Sequence, residues 1–76
     1  MSPKLPRVTA AELARALERD GWRFSRQHGS HRVYTHEKKT GLVVVPMHAG
    51  EDLPPGLIAR ILKDAGLSAD DLRRLL

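Results

Sequence analysis

The first helical pattern in the chain begins after Thr9. Apolar residues then recur at the spacing that lines one side of an α-helix, at Ala10, Leu13, Ala14 and Leu17. Thr9 and Glu12 stand at the two positions of a capping box, in which each side chain bonds the backbone N–H of the other residue. Gly21 is a natural stop, because glycine tolerates the left-handed conformation that often ends a helix. The pattern predicts a helix over residues 10–20.

A second and broader apolar stripe lies in the last third of the chain. It follows Pro54 and Pro55, which suit the first turn of a helix, and it consists of Leu57, Ile58, Ile61, Leu62 and Ala65. Gly66 is the expected end of this helix. Ser68 is a favourable N-cap, so a last short helix is predicted to begin there.

Three stretches between the helical patterns have the character of strands. Trp22–Arg26 alternates with period two, which places Trp22 and Phe24 on the face toward the helix. His31–His36 is predicted to form a second strand and Leu42–Val45 a third. Because the third run is apolar without a break, it is expected to be the central or most buried strand.

The order of these elements predicts an α+β fold. It reads α-β-β-β-α with a short extra C-terminal helix, and the three-stranded antiparallel sheet is expected to carry its helices on one face. The 76 residues are expected to form a single domain, 1-76, with residues 1-7 as an N-terminal arm. The lack of cysteine excludes disulfides and thiolate metal sites and fits a reducing cytoplasm. No apolar run suits a membrane span or a signal peptide.

Positive charge is concentrated in the first half of the chain. The net charge is +4, and residues 1–40 hold nine Lys or Arg against four Asp or Glu. Residues 41–76 hold four against five. A basic surface favours a polyanion such as nucleic acid, although a surface that only promotes solubility has the same composition.

The densest polar chemistry lies between residues 26 and 34. The turn Gly29-Ser30 delivers His31 to the first position of a strand, with Arg26 before the turn and Arg32 after it. Imidazole moves protons near neutral pH, and guanidinium groups neutralise charge on phosphoryl oxygens. This combination suits chemistry at a phosphodiester.

Strand parity leaves the orientation of His31 open. His31 shares a face of its strand with Val33, whereas Arg32 shares the other face with Tyr34. If Val33 is in the core, His31 must lie at the rim of the sheet. Tyr34 either stacks on a base from an open face or packs in the core, which is the more common fate of a tyrosine.

Six short segments occur in an order that is typical of one family. They are Leu5-Pro6-Arg7-Val8-Thr9, Gly21-Trp22, Arg26-Gln27-His28-Gly29-Ser30-His31, Val45-Pro46-Met47-His48-Ala49-Gly50, Leu53-Pro54-Pro55-Gly56 and Ile61-Leu62-Lys63-Asp64-Ala65-Gly66-Leu67. With these segments, nearly the whole chain resembles the HicA toxins, also called the YcfA-like family, of bacterial and archaeal toxin–antitoxin modules.

The resemblance implies a fold similar to the double-stranded-RNA-binding domain. It also implies a ribosome-independent endoribonuclease, an mRNA interferase that arrests growth. The implied partners are mRNA and a HicB-type antitoxin that masks the active site, so we expect a cytoplasmic protein that is a monomer when free and a hetero-oligomer with its antitoxin. The family's catalytic histidine is the one in Gly-Ser-His, which is His31 here.

A ribonuclease that uses the 2′-OH of its substrate as nucleophile needs a base, an acid and cations, but no metal. His31 is the candidate general acid or base, and His28 is a weaker candidate for the second role. His36 and His48 lie farther along the chain. The spacings of the four histidines match no zinc pattern, so neither a metal nor another cofactor is expected.

A path for the RNA backbone is expected along Arg23, Arg26, Ser30, Arg32, Lys38 and Lys39. Two other functions stay open at this point. One is a non-catalytic RNA-binding module of the same fold, and the other is a protein-interaction module that uses the open sheet face to bind an acidic partner.

Overall fold

The computed structural model describes residues 5–47 and 50–76. Its elements are α1 (Ala10–Arg19), β1 (Trp22–His28), β2 (His31–His36), β3 (Val43–Pro46), α2 (Pro55–Ala65) and α3 (Ala69–Leu75). This order, with its three-stranded antiparallel sheet, confirms the predicted α+β class and its similarity to the double-stranded-RNA-binding domain. Within the described ranges, no helix is long and apolar enough to cross a membrane. Of the predicted N-terminal arm, Leu5 packs partly against the core, and residues 1–4 lie outside the described ranges.

β2 is the central strand of the sheet, whose order is β1-β2-β3 with both pairs antiparallel. The prediction that the apolar run at 42–45 is the central strand is therefore wrong, although β3 has the largest share of buried residues of the three strands, two of four. Leu42 and Val44 are 49% and 41% exposed, whereas Val43 and Val45 are fully buried. The run is apolar on both sides because one side packs in the core and the other lines a groove beside α2.

The helices cover the face of the sheet that carries Tyr34. Tyr34 is buried in the core together with Trp22, Val43, Val45 and apolar residues of all three helices. Phe24 shares this face and lies edge-on to the Tyr34 ring, as alternation predicts, but it is 51% exposed. The core therefore ends before it reaches the hairpin tip.

Val33 lies on the other face of the sheet, and its position settles the orientation of His31. Its cross-strand partners are Arg26 and Val44, and it is buried between them without belonging to the core cluster. Because His31 has the parity of Val33, it lies on the open face of the sheet, opposite the face that carries Tyr34 and the core. His31 therefore does not occupy the rim position that was expected for the case in which Val33 is in the core.

Capping boxes confirm the predicted starts of α1 and α3. The Thr9 hydroxyl accepts from the Glu12 N–H at 3.2 Å, and the Glu12 carboxylate accepts from the Thr9 N–H at 2.9 Å. Ser68 and Asp71 form the same arrangement at α3. The hydrogen bonds from the Thr9 and Ser68 backbones, followed by those with the hydroxyls, lower the pKa of Glu12 and of Asp71, because they favour the charged carboxylate.

We expect acid to weaken the fold through these two carboxylates. A group whose pKa is lower in the folded chain gives stability that is fully present above its ordinary value, 4.5 for Glu12 and 3.8 for Asp71. That stability is lost as the pH falls through the lower folded value. Replacing Glu12 with Gln and Asp71 with Asn should make the thermal midpoint fall less steeply between about pH 5 and about pH 3. Circular dichroism melts at several pH values measure this slope, and an identical slope in the double variant would oppose the assignment.

The junction between α1 and β1 requires glycine. Gly21 has a φ of +102°, and a Cβ at that position would lie 2.8 Å from His36 Nε2. His36 is itself fixed in place, since its Nδ1 accepts from the Lys38 N–H at 3.0 Å and its Nε2 lies 2.8 Å from the Asp20 carbonyl oxygen. With Nδ1 as acceptor, the neutral ring donates from Nε2. Its ring also packs edge-on against Trp22.

Gly21→Ala is expected to destabilise the chain by roughly 1–3 kcal/mol, because a left-handed backbone and a steric clash coincide there. Gly56→Ala is the matched control, since a Cβ there meets nothing within 4 Å. Position 56 lies in α2, where alanine is the better helix former, so that variant should gain up to about 1 kcal/mol. Denaturant unfolding measures both changes, and equal stability of the two variants would argue against this account of the junction.

Candidate active site at the first hairpin

The tip of the β1–β2 hairpin is held from two sides. Gly29 has a φ of +57°, the positive value that a tight two-residue turn takes at its first central position. The side-chain amide of Gln27 donates to the Gly29 carbonyl at 2.9 Å. The N–H of Met47, which follows β3, donates to the Ser30 carbonyl at 2.6 Å. These bonds fix the backbone from which the His31 side chain projects.

A β-bulge at Ser25 decides which side chains accompany His31. The register of β1 against β2 shifts between Phe24 and Arg26, so one extra residue is inserted there. Without the bulge, alternation from Phe24 would place Arg26 and His28 on the helix side of the sheet. With it, both lie on the open face, and His28 is directly opposite His31.

The bulge thus assembles two imidazoles and a guanidinium at the hairpin tip. Arg26 Nε donates to His28 Nε2 at 3.1 Å, so neutral His28 carries its proton on Nδ1. His31 is exposed and, within the described residues, has no hydrogen bond, which leaves both of its ring nitrogens open to a ligand. Opposite residues of an antiparallel pair have Cα atoms about 4.5–5.5 Å apart, so both histidines can reach the same phosphate group.

His31 also lines a groove that lies between β3 and α2. The groove has a volume of about 250 Å³, and its other lining residues are Leu42, Val44, Pro46, Leu57, Arg60, Ile61 and Asp64. Arg60 and Asp64 were not predicted from the sequence to share a groove with His31, because no local pattern links α2 to β2. In the sequence these two residues are charged positions beside the apolar stripe of α2. Charged residues at such positions usually only face solvent, so they are a weak indication of a binding groove.

Three of the predicted RNA contacts lie at the open face or the tip. Arg23 is opposite Thr35, which has the parity of His31, and Arg26 is on the same face. Ser30 forms the turn itself. Arg23 and Arg26 therefore give the face of His31 a positive charge.

Arg32 has a different environment, because it lies on the Tyr34 face of β2. Its guanidinium carbon is 5.8 Å from the centre of the Phe24 ring, a cation–π arrangement. Its Nε is buried and has no hydrogen-bond partner among the described residues. Arg32 and His31 thus point to opposite sides of the sheet.

Lys38 and Lys39 follow the far end of β2, roughly 16 Å from His31 along the strand. Lys39 Nζ donates to the Asp20 carboxylate at 2.7 Å and to the Ala65 carbonyl at 2.9 Å, which joins the β2–β3 loop to the ends of α1 and α2. Lys38 is exposed. The structure thus engages Lys39 in its own fold and leaves the Lys38 side chain at the surface.

The remaining histidines are not part of the hairpin tip. His36 is packed at the far end of β2, where it contacts Trp22 and Asp20. His48 lies outside the described residues. Over the ranges 5–47 and 50–76, no group of three His, Cys, Asp or Glu side chains is placed to hold a metal ion.

Comparison with known proteins gives one informative result. The family model described as the HicA toxin of bacterial toxin–antitoxin systems matches residues 10–67. This range contains α1, the whole sheet, α2, the hairpin tip and the groove. A search of curated proteins found no match. Since the family match covers well over half of the chain, the chain belongs to the HicA toxin family, whose members are toxins that pair with an antitoxin.

Proposed function

We propose that this toxin is a ribosome-independent mRNA interferase, a metal-independent endoribonuclease in which His31 is the general acid or base. The observation that carries the proposal is the exposed His31, whose ring nitrogens have no hydrogen bond among the described residues. It stands on the open sheet face beside the bonded pair Arg26 and His28. Membership of a toxin family supports the same reading.

The chemistry needs no group beyond the side chains and the substrate. His31 accepts the proton of a ribose 2′-OH, and the 2′ oxygen then forms a bond to the adjacent phosphorus. The bond from phosphorus to the 5′ oxygen breaks, and that oxygen receives a proton. The products are a 2′,3′-cyclic phosphate and a 5′-OH end.

His28 is the candidate for the acid that protonates the 5′ oxygen. It is directly opposite His31. To act as the acid it must be the imidazolium, so its Nε2 exchanges the hydrogen bond from Arg26 for a proton, and the ring returns to neutral imidazole when Nδ1–H is donated to the 5′ oxygen. The Arg26 guanidinium neutralises negative charge that builds on the phosphoryl oxygens. Water is the competing proton donor, in which case His28 only positions the substrate.

The RNA backbone is proposed to contact Arg26 and Ser30 close to the scissile phosphate. Arg23 is on the same face but opposite Thr35, about 13 Å along β2 from His31, so it is proposed to contact a more distant phosphate. Lys38 is available for a more distant phosphate. Arg32 and Lys39 are the weakest of the predicted contacts, because the first lies on the other sheet face and the second is bonded within the fold. We expect Lys38→Ala to weaken RNA binding more than Lys39→Ala does.

The antitoxin is proposed to be of the HicB type and to inhibit by covering the hairpin tip. His31 is exposed and on the open face, so a protein that binds there would block access to RNA without any change in the fold. The free toxin is then a monomer, and the inhibited form is a hetero-oligomer. The toxin is proposed to act in the cytoplasm, because its proposed substrate is mRNA.

Incubation of the purified chain with RNA in the presence of EDTA tests the proposed activity. We expect cleavage that EDTA does not reduce and that added antitoxin stops. RNA that remains intact but is bound by the protein would support the non-catalytic binding module instead. RNA that is neither cleaved nor bound would reject both functions.

A further inference from the structure

The strand pairing of His31 and a hydrogen bond of Lys39 show how α2 is oriented along β3, and so at which end of the groove His31 lies. β3 ends at Pro46, which is the cross-strand partner of His31. Lys39, in the loop before β3, donates to the carbonyl of Ala65 at 2.9 Å, so the C-terminal end of α2 lies near the start of β3. The two elements therefore run antiparallel, and His31 stands at the end of the groove where α2 begins.

Among its described residues, the groove carries one cation, Arg60, followed by one anion, Asp64, and lysines lie beyond its far end. Measured from Leu57 at the His31 end, the rise of the helix places Arg60 about 4.5 Å and Asp64 about 10.5 Å farther along. Arg60 is exposed and makes no ion pair or hydrogen bond within residues 5–47 and 50–76. Beyond it, Lys38 and Lys63 line an adjoining cavity that shares Asp64 with the groove.

The lining of the groove favours a charged, extended occupant over a small molecule. Its volume of about 250 Å³ is smaller than the roughly 300–1,000 Å³ of most ligand pockets. Its β3 wall is aliphatic, formed by Leu42, Val44 and Pro46. Since none of its described lining residues is Phe, Tyr or Trp, His31 and Arg60 are the lining side chains that have a planar face for a base. Arg60 is then the strongest attachment point, and what a guanidinium binds best is a carboxylate or a phosphate.

We propose that the groove between α2 and β3 binds the single-stranded RNA segment next to the scissile phosphate, with Arg60 contacting one of its phosphates. This rests on the proposed function, which puts the scissile phosphate at His31. The strand leaves His31, passes Arg60 and reaches Lys38 and Lys63. Because a phosphate contact carries no sequence information, Arg60 contributes affinity and direction but little sequence preference.

The experiment measures the binding of a short labelled single-stranded RNA by fluorescence anisotropy over a range of salt concentrations. All variants carry His31→Ala, so that the RNA stays intact. Arg60→Ala is compared with Arg15→Ala, which removes the same charge from an exposed position on α1 that lines a different cavity. Circular dichroism verifies that each variant is folded.

Arg60→Ala should weaken binding about tenfold, the effect of losing one charge-assisted hydrogen bond. It should also reduce the slope of log K against log salt by about 0.7, the value for one phosphate contact on a single strand. Arg15→Ala should leave both quantities unchanged. Asp64→Asn should tighten binding, because it removes a negative charge from the far end of the groove.

Equal effects of Arg60→Ala and Arg15→Ala would overturn the proposed path, and so would an unchanged affinity in Asp64→Asn. If the unmodified chain still cleaves RNA in that case, the groove assignment fails while the proposed function stands. If the unmodified chain does not cleave RNA and the His31→Ala chain does not bind it, both fail together.

Discussion

His31→Ala is expected to abolish RNA cleavage while the fold stays intact. General acid–base catalysis typically contributes a factor of about 10²–10⁴ in rate, and His31 is the group placed to take the 2′-OH proton. Because its side chain is exposed and makes no hydrogen bond among the described residues, its loss should change the free energy of unfolding by less than about 0.5 kcal/mol. Single-turnover cleavage assays of the unmodified chain and of His31→Ala measure the loss of rate, and thermal melts of both measure the change in stability.

His28→Ala and His36→Ala are the matched histidine controls. The first should reduce cleavage by a smaller factor, because water can replace a proton donor, and should leave stability unchanged. The second removes a packed ring that contacts Trp22 and bonds Asp20, so it should lower stability before it affects catalysis. Full cleavage by His31→Ala would remove this residue from the mechanism, and a large drop in its melting midpoint would show that it is structural.

Leu62→Ala is expected to lower the free energy of unfolding by roughly 2–5 kcal/mol, because it leaves a cavity in the core. Leu62 is 3% exposed and belongs to the cluster that joins α2 to Trp22 and Tyr34. A domain of this size has a total stability at the low end of about 5–15 kcal/mol, so the variant could be largely unfolded at physiological temperature. Urea or thermal unfolding measures the loss.

Leu42→Ala is the control for Leu62→Ala, because it removes the same atoms from a side chain that is 49% exposed. It should cost about 1 kcal/mol or less, since about half of that residue stays in contact with water. A similar loss in the two variants would mean that Leu42 is covered by something in solution.

The helices were largely predictable because their signals are local. Thr9 with Glu12 and Ser68 with its following acidic turn are capping patterns that act over four residues, and the structure contains both boxes. Gly66 ends α2 in a left-handed conformation, as its sequence position suggests. The second strand was also predicted with its observed limits, His31–His36, because a Gly-Ser turn and a polar loop bound it.

The position of β3 was predicted wrongly because an apolar run can have two different causes. Val43 and Val45 face the core, whereas Leu42 and Val44 are outside it. The sequence shows only that both faces of this strand are apolar. It does not distinguish a central strand from an edge strand that forms one wall of a groove.

The arrangement of the site was less predictable than its central residue. The Gly-Ser-His motif indicates His31, but the bulge at Ser25 is what brings Arg26 and His28 to the same face. Its one trace in the sequence is that Arg26 has the parity of Trp22 and Phe24, where an apolar residue is expected. Arg60 reaches the groove only through the packing of α2 along β3, and a long-range contact of this kind has no local signature.

The measurement that tests the central claim most directly uses one RNA in two forms, with EDTA present. One form is all-ribose, and the other carries a single 2′-deoxy nucleotide on the 5′ side of the cleavage site. We expect the chain to cut the all-ribose form to a 2′,3′-cyclic phosphate and a 5′-OH end, and to leave the substituted site intact. Cleavage at the substituted site, or cleavage that requires a divalent metal, would show that the reaction does not proceed through the 2′-OH with His31 as its proton acceptor.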